Sequence, residues 1–320
     1  MLDVCICTHN PRLDVLSIVL QSLAQQDVGT EAFRVIIIDN ASYPTLPDLI
    51  LEPLRKVGLN VRLLQEPMLG VSRARLRAAR ETNAYWVLFV DDDNELSANY
   101  ISQGLAFIKH HPEIGCFGGK LLLARNLNPP RWAVPFLPYL GIKDIGEETL
   151  IGKSENWEHW EPPTAGAFVC RPLLDEYLEQ SMQNDEVHQL GRQGRSNLAS
   201  CEDSLLMRNA FRLNLSNAYY PVLMLRHHLD PSRFRFRYLV RLLYGYGRSH
   251  VILESILKGR QPAPIYYVNI GAFFMMLLWR FIASSRHSVA FAIGQVAYSF
   301  GARHEHLKNR TTVQDRGRGA

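Results

Sequence analysis

Trp86-Val87-Leu88-Phe89-Val90-Asp91-Asp92-Asp93-Asn94-Glu95 runs from the most apolar strand-like segment of the chain into three successive aspartates. Three further short apolar runs precede it, at residues 4–7, 35–38 and 61–64. Their near-continuous Val, Ile and Leu content suits strands covered on both faces. Between the first two, Leu13, Leu16, Leu20 and Leu23 recur at helical spacing after Asn10-Pro11, a helix-start signal. Residues 46–57 bridge the second and third runs, and residues 72–82 the third and fourth. Strands alternating with helices in this order predict an α/β domain, a mainly parallel sheet with helices on both faces. Such sheets bind ligands beyond the carboxyl ends of their strands, where the three aspartates fall.

Adjacent carboxylates raise each other's pKa unless a cation offsets their charge. Hard oxygen donors suit Mg2+ or Mn2+, held by one or two carboxylates together with substrate phosphates. Asp91, Asp92 and Asp93 therefore predict a metal-diphosphate site, with a solvated acidic turn ahead of a helix near residue 97 as the competing role. Strand two ends in Asp39-Asn40-Ala41-Ser42. A carboxylate there can accept from a ribose hydroxyl or a base N–H, although a helix N-cap would use the same residue types. Strand one ends in Thr8-His9-Asn10. Three polar strand ends opening on one edge make a site.

Composition agrees with a packed protein. The chain has 320 residues, 47% apolar and 21% charged, which excludes a disordered chain, a collagen-like fibre and a coiled coil. The net charge of +4 hides an asymmetry: residues 1–225 carry 20 Lys+Arg against 27 Asp+Glu, and residues 226–320 carry 15 against 4. An acidic body with a basic end predicts two surfaces with different partners. The five cysteines show no CxxC pair and no zinc spacing, which fits free thiols in a reducing compartment. Met1 leads straight into a strand-like run without a basic n-region, so no signal peptide is expected. Two uncharged runs, residues 265–279 and 288–302, fall short of the ~20 residues that cross a bilayer and predict buried or interfacial helices.

Four pieces occur in order: Cys7-Thr8-His9-Asn10, Ile38-Asp39-Asn40-Ala41-Ser42, Gly70-Val71-Ser72-Arg73-Ala74-Arg75 and Phe89-Val90-Asp91-Asp92-Asp93. Together they resemble family 2 glycosyltransferases, the inverting GT-A (Rossmann-like) enzymes that use nucleotide-diphospho-sugars. The resemblance covers about residues 1–230. The family's usual Ala-Arg-Asn-x-Gly continues here as Ala74-Arg75-Leu76-Arg77-Ala78, without its Asn and Gly. The resemblance implies a nucleotide-diphospho-sugar donor and Mn2+ or Mg2+. It implies that Asp39 contacts the base, that Thr8 and Asn10 line the same pocket, and that Arg73 or Arg75 approaches the nucleotide. Asp91 would sit near the ribose and sugar with Asp92 beside it, and Asp93 would bind the metal.

Cys201-Glu202-Asp203 precedes a helical run over residues 202–212 and resembles the family's ED pair. Asp203 would be the base that deprotonates the acceptor, with Glu202 orienting it or raising its pKa; charge favouring a helix N-terminus is the competing role. One of His227 and His228, with His227 preferred, would reach the metal or diphosphate. Residues 230–237 lack the Gln-x-x-Arg-Trp motif of processive members, and the several spanning helices of those members are missing too. One sugar per encounter is expected.

The expected layout is a catalytic domain over residues 1–230, with a nucleotide-sugar half (1–120) and an acceptor half (121–230) that includes a long excursion at 127–163. A basic, partly apolar helical extension (231–308) and a disordered tail (309–320) follow. Arg233, Arg235, Arg237, Arg241 and Arg248 precede the apolar runs, and such charge beside aromatic-rich helices is attracted to an anionic membrane surface. The expected place is the cytoplasmic face of the cell membrane, held peripherally. The expected acceptor is a glycan or lipid-linked hydroxyl in surface polysaccharide or glycolipid synthesis. Nucleic acid is not an expected partner, since an acidic cleft repels a phosphate backbone. Two readings compete: a catalytically silent nucleotide-sugar or polyanion-binding scaffold at the membrane, and a nucleotidyltransferase, whose Gly-rich N-terminal loop is missing.

Overall fold

The computed structural model describes residues 1–194, 197–259 and 263–317, with side chains up to residue 309. The chain sorts into two units: residues 1–127, 141–183 and 203–229 in one, residues 128–140, 184–202 and 230–320 in the other. The segments at 128–140 and 184–202, which the sequence reading assigns to the catalytic domain, group with the C-terminal helices instead. Local patterning carries no signal for that grouping, which is a property of tertiary contacts.

Among the described residues the first unit holds a nine-stranded sheet. Its strands are β1 (Leu2–Thr8), β2 (Phe33–Asn40), β3 (Val61–Glu66), β4 (Trp86–Asp91), β5 (Asn94–Leu96), β6 (Ile114–Leu123), β7 (Leu150–Gly152), β8 (Ala167–Cys170) and β9 (Ser216–His227). The order is β3-β2-β1-β4-β8-β6-β9-β5, with β7 also on β9. The first four strands are mutually parallel. β8 runs antiparallel to both β4 and β6, β9 is parallel to β6, and β5 and β7 are antiparallel to β9. The parallel half matches the α/β expectation; strands read from the sequence over 164–171 and 219–225 correspond to β8 and β9, while the antiparallel directions of β5, β7 and β8 leave no signal in apolar runs.

Helices of this unit are α1 (Leu13–Ala24), α2 (Glu52–Lys56), α3 (Val71–Glu81), α4 (Tyr100–His110), α5 (Arg171–Gln183) and α6 (Glu202–Arg212). Alternate strand positions Val4, Ile6, Val35, Ile37, Leu88 and Val90 join one core cluster with Leu16, Val19, Leu20 and Leu23 of α1. Cys5, Ile36, Ile38, Val87 and Phe89 are equally buried and face the side on which α3 packs against β1 and β2. Both faces are therefore covered. Each fully buried Val, Ile or Leu stabilises the fold by about 1.5–3 kcal/mol. The helix expected over 46–57 is instead a 3-10 turn (Asp48–Leu51) followed by α2, because Pro47 and Pro53 constrain the backbone at both starts.

β6 reads poorly as a strand because Gly115, Gly118 and Gly119 interrupt it. The glycine at 119 is required by closeness: a Cβ there would lie 2.1 Å from the Leu223 carbonyl oxygen on β9.

The second unit contains α7 (Phe236–Lys258), α8 (Ile265–Val268), α9 (Ile270–Ser285) and α10 (Val289–Gly317). α7 and α10 cross closely at Gly247 and Gly301, where added Cβ atoms would meet the Tyr298 and Tyr244 carbonyl oxygens at 2.0 and 2.1 Å. Arg248 pairs with the buried Glu305 across them at 2.9 Å. α10 continues to Gly317, where the sequence reading expects a disordered tail; residues 302–316 contain neither Pro nor Gly, so nothing interrupts the helix. Residues 318–320 of that expected tail lie outside the described residues. Among the described residues no helix is long and apolar enough to cross a membrane.

The β6–β9 contact generates a test. Gly119→Ala should lower the thermal midpoint by several degrees, because backbone rather than a flexible side chain occupies the new methyl's space. The exposed helical Gly271→Ala should hold or raise it, and equal midpoints for both variants would refute the close-approach account.

Candidate active site

The three aspartates part company as soon as β4 ends. Asp91 pairs with Arg75 of α3 at 3.3 Å. Asp92 accepts a short hydrogen bond from the Thr8 hydroxyl at the end of β1. Asp93, buried, lies 3.1 Å from Nε2 of His227 at the end of β9. Each carboxylate thus meets a different element, which is how one strand end carries three charges without mutual repulsion winning.

Register explains the third contact. β5 begins one residue after Asp93 and pairs antiparallel with β9, placing Asn94 opposite His227. The Asp93 carbonyl accepts from the His228 N–H at 2.8 Å, while the His228 ring turns to Glu95 at 2.7 Å. Of the two histidines, His227 is the one beside Asp93. Its other ring nitrogen, Nδ1, is buried without a hydrogen-bond partner, an uncompensated polar atom of a kind rare in packed interiors. A carboxylate beside an imidazole nitrogen is a donor set suited to Mn2+ and tolerable to Mg2+. Among the described residues no group of three or more His, Cys, Asp or Glu could hold a metal; an ion held by Asp93 and His227 would need phosphate oxygens to complete its shell.

Thr8, Asn10 and Asp39 lie at neighbouring strand ends, Thr8 opposite Asp39 in the β1–β2 register. Asp39 is fully buried and accepts from the Leu46 N–H at 2.9 Å, the Gln65 amide at 3.1 Å and the Ser42 N–H at 3.3 Å. Asn10 accepts from the Tyr43 N–H, and its own N–H donates to the Ser42 hydroxyl, both at 2.8 Å. Both residues therefore shape the 41–46 loop. Next to Asp39, Asn40 donates to the Glu66 and Met68 carbonyls at 3.1 and 2.8 Å and accepts from the Gly70 N–H at 2.8 Å, which fixes the entry to α3. From there Arg75 is buried and reaches Asp91, whereas Arg73 approaches the Met68 sulfur at 3.5 Å.

Asp203 lies in the first turn of α6, with its carboxylate accepting from the Ser204 N–H at 2.9 Å. Burial raises its pKa most; Glu161 and Asp91 push in the same direction, and Arg75 and the Ser204 N–H oppose them. Glu202 is buried at the first position of that helix.

Sequence reasoning missed three charged residues beside Asp203. Glu161 and Arg208 form a buried pair at 3.1 Å, and burial raises the Glu161 pKa against the pull of Arg208. Lys143 donates to the Glu161 carbonyl at 2.6 Å. Desolvation pushes its pKa down to about 8, with Glu161 and Asp203 pulling the other way. Lys143 and Glu161 are isolated charges in non-periodic sequence and Arg208 is one charge on the helical run over 202–212; their one signal is Glu161 standing immediately before Pro162-Pro163 and the Thr164–Gly166 turn.

Residues 3–178 match the family described as Glycosyl transferase family 2. A curated relative, the poly(ribitol-phosphate) beta-N-acetylglucosaminyltransferase TarS of Staphylococcus aureus (strain Mu50 / ATCC 700699), is 28% identical over 113 residues, which is 35% of this chain and only 20% of the relative. The crystal structure of S. aureus TarS 1–349 in complex with UDP superposes with a TM-score of 0.51 at 17% identity, covering 97% of this chain and 91% of that one. The mannosyltransferase PcManGT from Pyrobaculum calidifontis, in complex with GDP-Man and Mn2+, gives 0.55 at 13% identity, covering 96% and 86%. The fold is GT-A-like, and with more than half its length matched the chain belongs to glycosyl transferase family 2.

Proposed function

We propose that the chain transfers a sugar from a nucleotide-diphospho-sugar to a hydroxyl of a glycan or lipid-linked acceptor, with inversion and one sugar per encounter. The observation that carries this is the meeting of two kinds of carboxylate. A divided aspartate triplet ends β4, and a desolvated Asp203 lies within electrostatic reach of Asp91 and Arg75. The first suits a diphosphate with its cation, the second a general base.

Asp203 takes the proton as the acceptor oxygen attacks the anomeric carbon. The bond from that carbon to the diphosphate breaks in the same displacement, and its electron pair leaves with the nucleoside diphosphate. A base with a raised pKa holds a proton more firmly than an ordinary carboxylate, which improves its match to a hydroxyl. Arg75 offsets the charge of Asp91 and so keeps Asp203 able to ionise beside it. Glu202 orients the start of α6. Thr8, Asn10 and Asp39 line the pocket for the base, Arg73 approaches the nucleotide, and Asp91 and Asp92 flank ribose and sugar. Mn2+ or Mg2+, held by Asp93 and His227, would stabilise charge on the departing diphosphate.

Support comes from similar proteins. TarS 1–349 is solved with UDP and PcManGT with GDP-Man and Mn2+, and TarS by its name acts on poly(ribitol-phosphate). That supports a polyol or glycan hydroxyl as acceptor in surface polysaccharide synthesis. The basic second unit supports a peripheral place on the inner face of the cell membrane.

Release of nucleoside diphosphate from a panel of nucleotide-sugars with Mn2+ tests the reading. Asp203→Asn should lower turnover by roughly 10²–10⁴-fold while keeping donor-induced thermal stabilisation, and Asp93→Ala should lose that stabilisation as well. Full turnover in both variants would sink the assignment. In the pH profile of kcat/KM, the acid limb should lie above the ordinary carboxylate value of about 3.9, since turnover requires ionised Asp203.

Lys143 gives a stability test with a definite sign. Its pKa is about 8 in the fold against an ordinary 10.5, so between those values the unfolded chain binds more protons and stability rises with pH. Lys143→Met should flatten that rise relative to the native chain in denaturation at pH 7.5 and pH 10. An unchanged slope would exclude the residue.

A further inference from the structure

α9 is amphipathic in the reverse sense. Phe273 and Leu277 pack into a small core with Val251, Tyr267 and Ala302. The opposite half of the helix presents Ile270, Phe274, Met275, Leu278, Trp279 and Ile282 to solvent, each 55–71% exposed. The helix's single charged residue, Arg280, points the other way. Its guanidinium donates to the Ser299 hydroxyl at 3.0 Å and lies 5.3 Å from the centre of the Tyr298 ring. A water-facing helix carries its charges outside and its large apolar groups inside. Here the charge is inside and the apolar groups are outside, and the exposed strip continues through Ile265 and Tyr266 before the helix and Val289 after it.

We infer that this face of α8–α9 lies in the interface of an anionic lipid bilayer, with the helix in the membrane plane. The assignment rests on the membrane reading proposed above and deepens it to particular side chains. Length excludes a span: 16 residues reach about 24 Å at 1.5 Å per residue, short of a ~30 Å hydrocarbon core. Charge selects a lipid surface over a second copy of the chain. From residue 255 to residue 304 the sequence has no Asp or Glu, and Arg286, at the C-terminal end of α9, is exposed. Two such faces would bring like charges together, whereas anionic headgroups complement them. Trp279 and Tyr266, apolar rings with one polar atom each, are the side chains enriched at headgroup level.

The 320-residue chain should co-sediment with vesicles of phosphatidylcholine and phosphatidylglycerol (3:1), at least ten-fold more than with phosphatidylcholine alone and less at high salt. Phe274→Ser/Leu278→Ser, on exposed positions, should lower partition at least ten-fold with an unchanged thermal midpoint. The exposed Met182→Ser, in the first unit, should bind as the native chain does. If the serine pair binds normally, the α9 assignment falls while the membrane reading stands. If the native chain stays in the supernatant, both fall, and a dimer in sedimentation velocity that the serine pair dissociates would name a second copy as the occupant.

Discussion

Three carboxylates on consecutive residues repel one another, and the catalytic unit is arranged around the relief of that repulsion. Arg75 from α3, Thr8 from β1 and His227 from β9 each take one aspartate. Those partners come from three separate elements, so the acidic turn is held only when the sheet has assembled from both halves. The parallel strands deliver Thr8 beside Asp92, and β5 must pair with β9 before His227 reaches Asp93. Packing and electrostatics therefore specify the same geometry.

A second cluster of ionisable groups surrounds Asp203. Glu161, Arg208, Lys143 and Asp203 gather ionisable groups where desolvation works against the charged forms. Buried pairs of this kind contribute little net stability, because desolvation cancels most of the Coulomb attraction. What they contribute is position. Glu161 is anchored by Arg208, its backbone holds Lys143, and the charge around Asp203 is set by groups that cannot swing away.

How much of this was legible in the sequence depended on repetition. Four strands announced themselves through runs of Val, Ile and Leu, and the aspartates through adjacency. His227 and Arg75 could be proposed only as members of pairs, with His228 and Arg73, because register and helix phase decide which one points inward. β6 was hidden by the glycines that let it approach β9, since a residue chosen for lack of a side chain leaves no apolar pattern. Lys143 and Glu161 come from segments with no period, and Arg208 from the helical run of α6; three-dimensional proximity alone makes them a group. The exchange of residues 128–140 and 184–202 between units is likewise a property of tertiary contacts.

Asp39 and Asn40 look nearly interchangeable on paper, being the same shape with one oxygen traded for an amide. Asp39 is surrounded by donors, from Ser42, Leu46 and Gln65. Asn40 needs an amide nitrogen toward two carbonyls and an oxygen toward the Gly70 N–H. Deamidation of Asn40 would place a carboxylate oxygen against the Glu66 and Met68 carbonyls, acceptor facing acceptor, beside a second negative charge. The chemical ageing of a single side chain would thus loosen the entry to α3, and with it the arginine that balances Asp91.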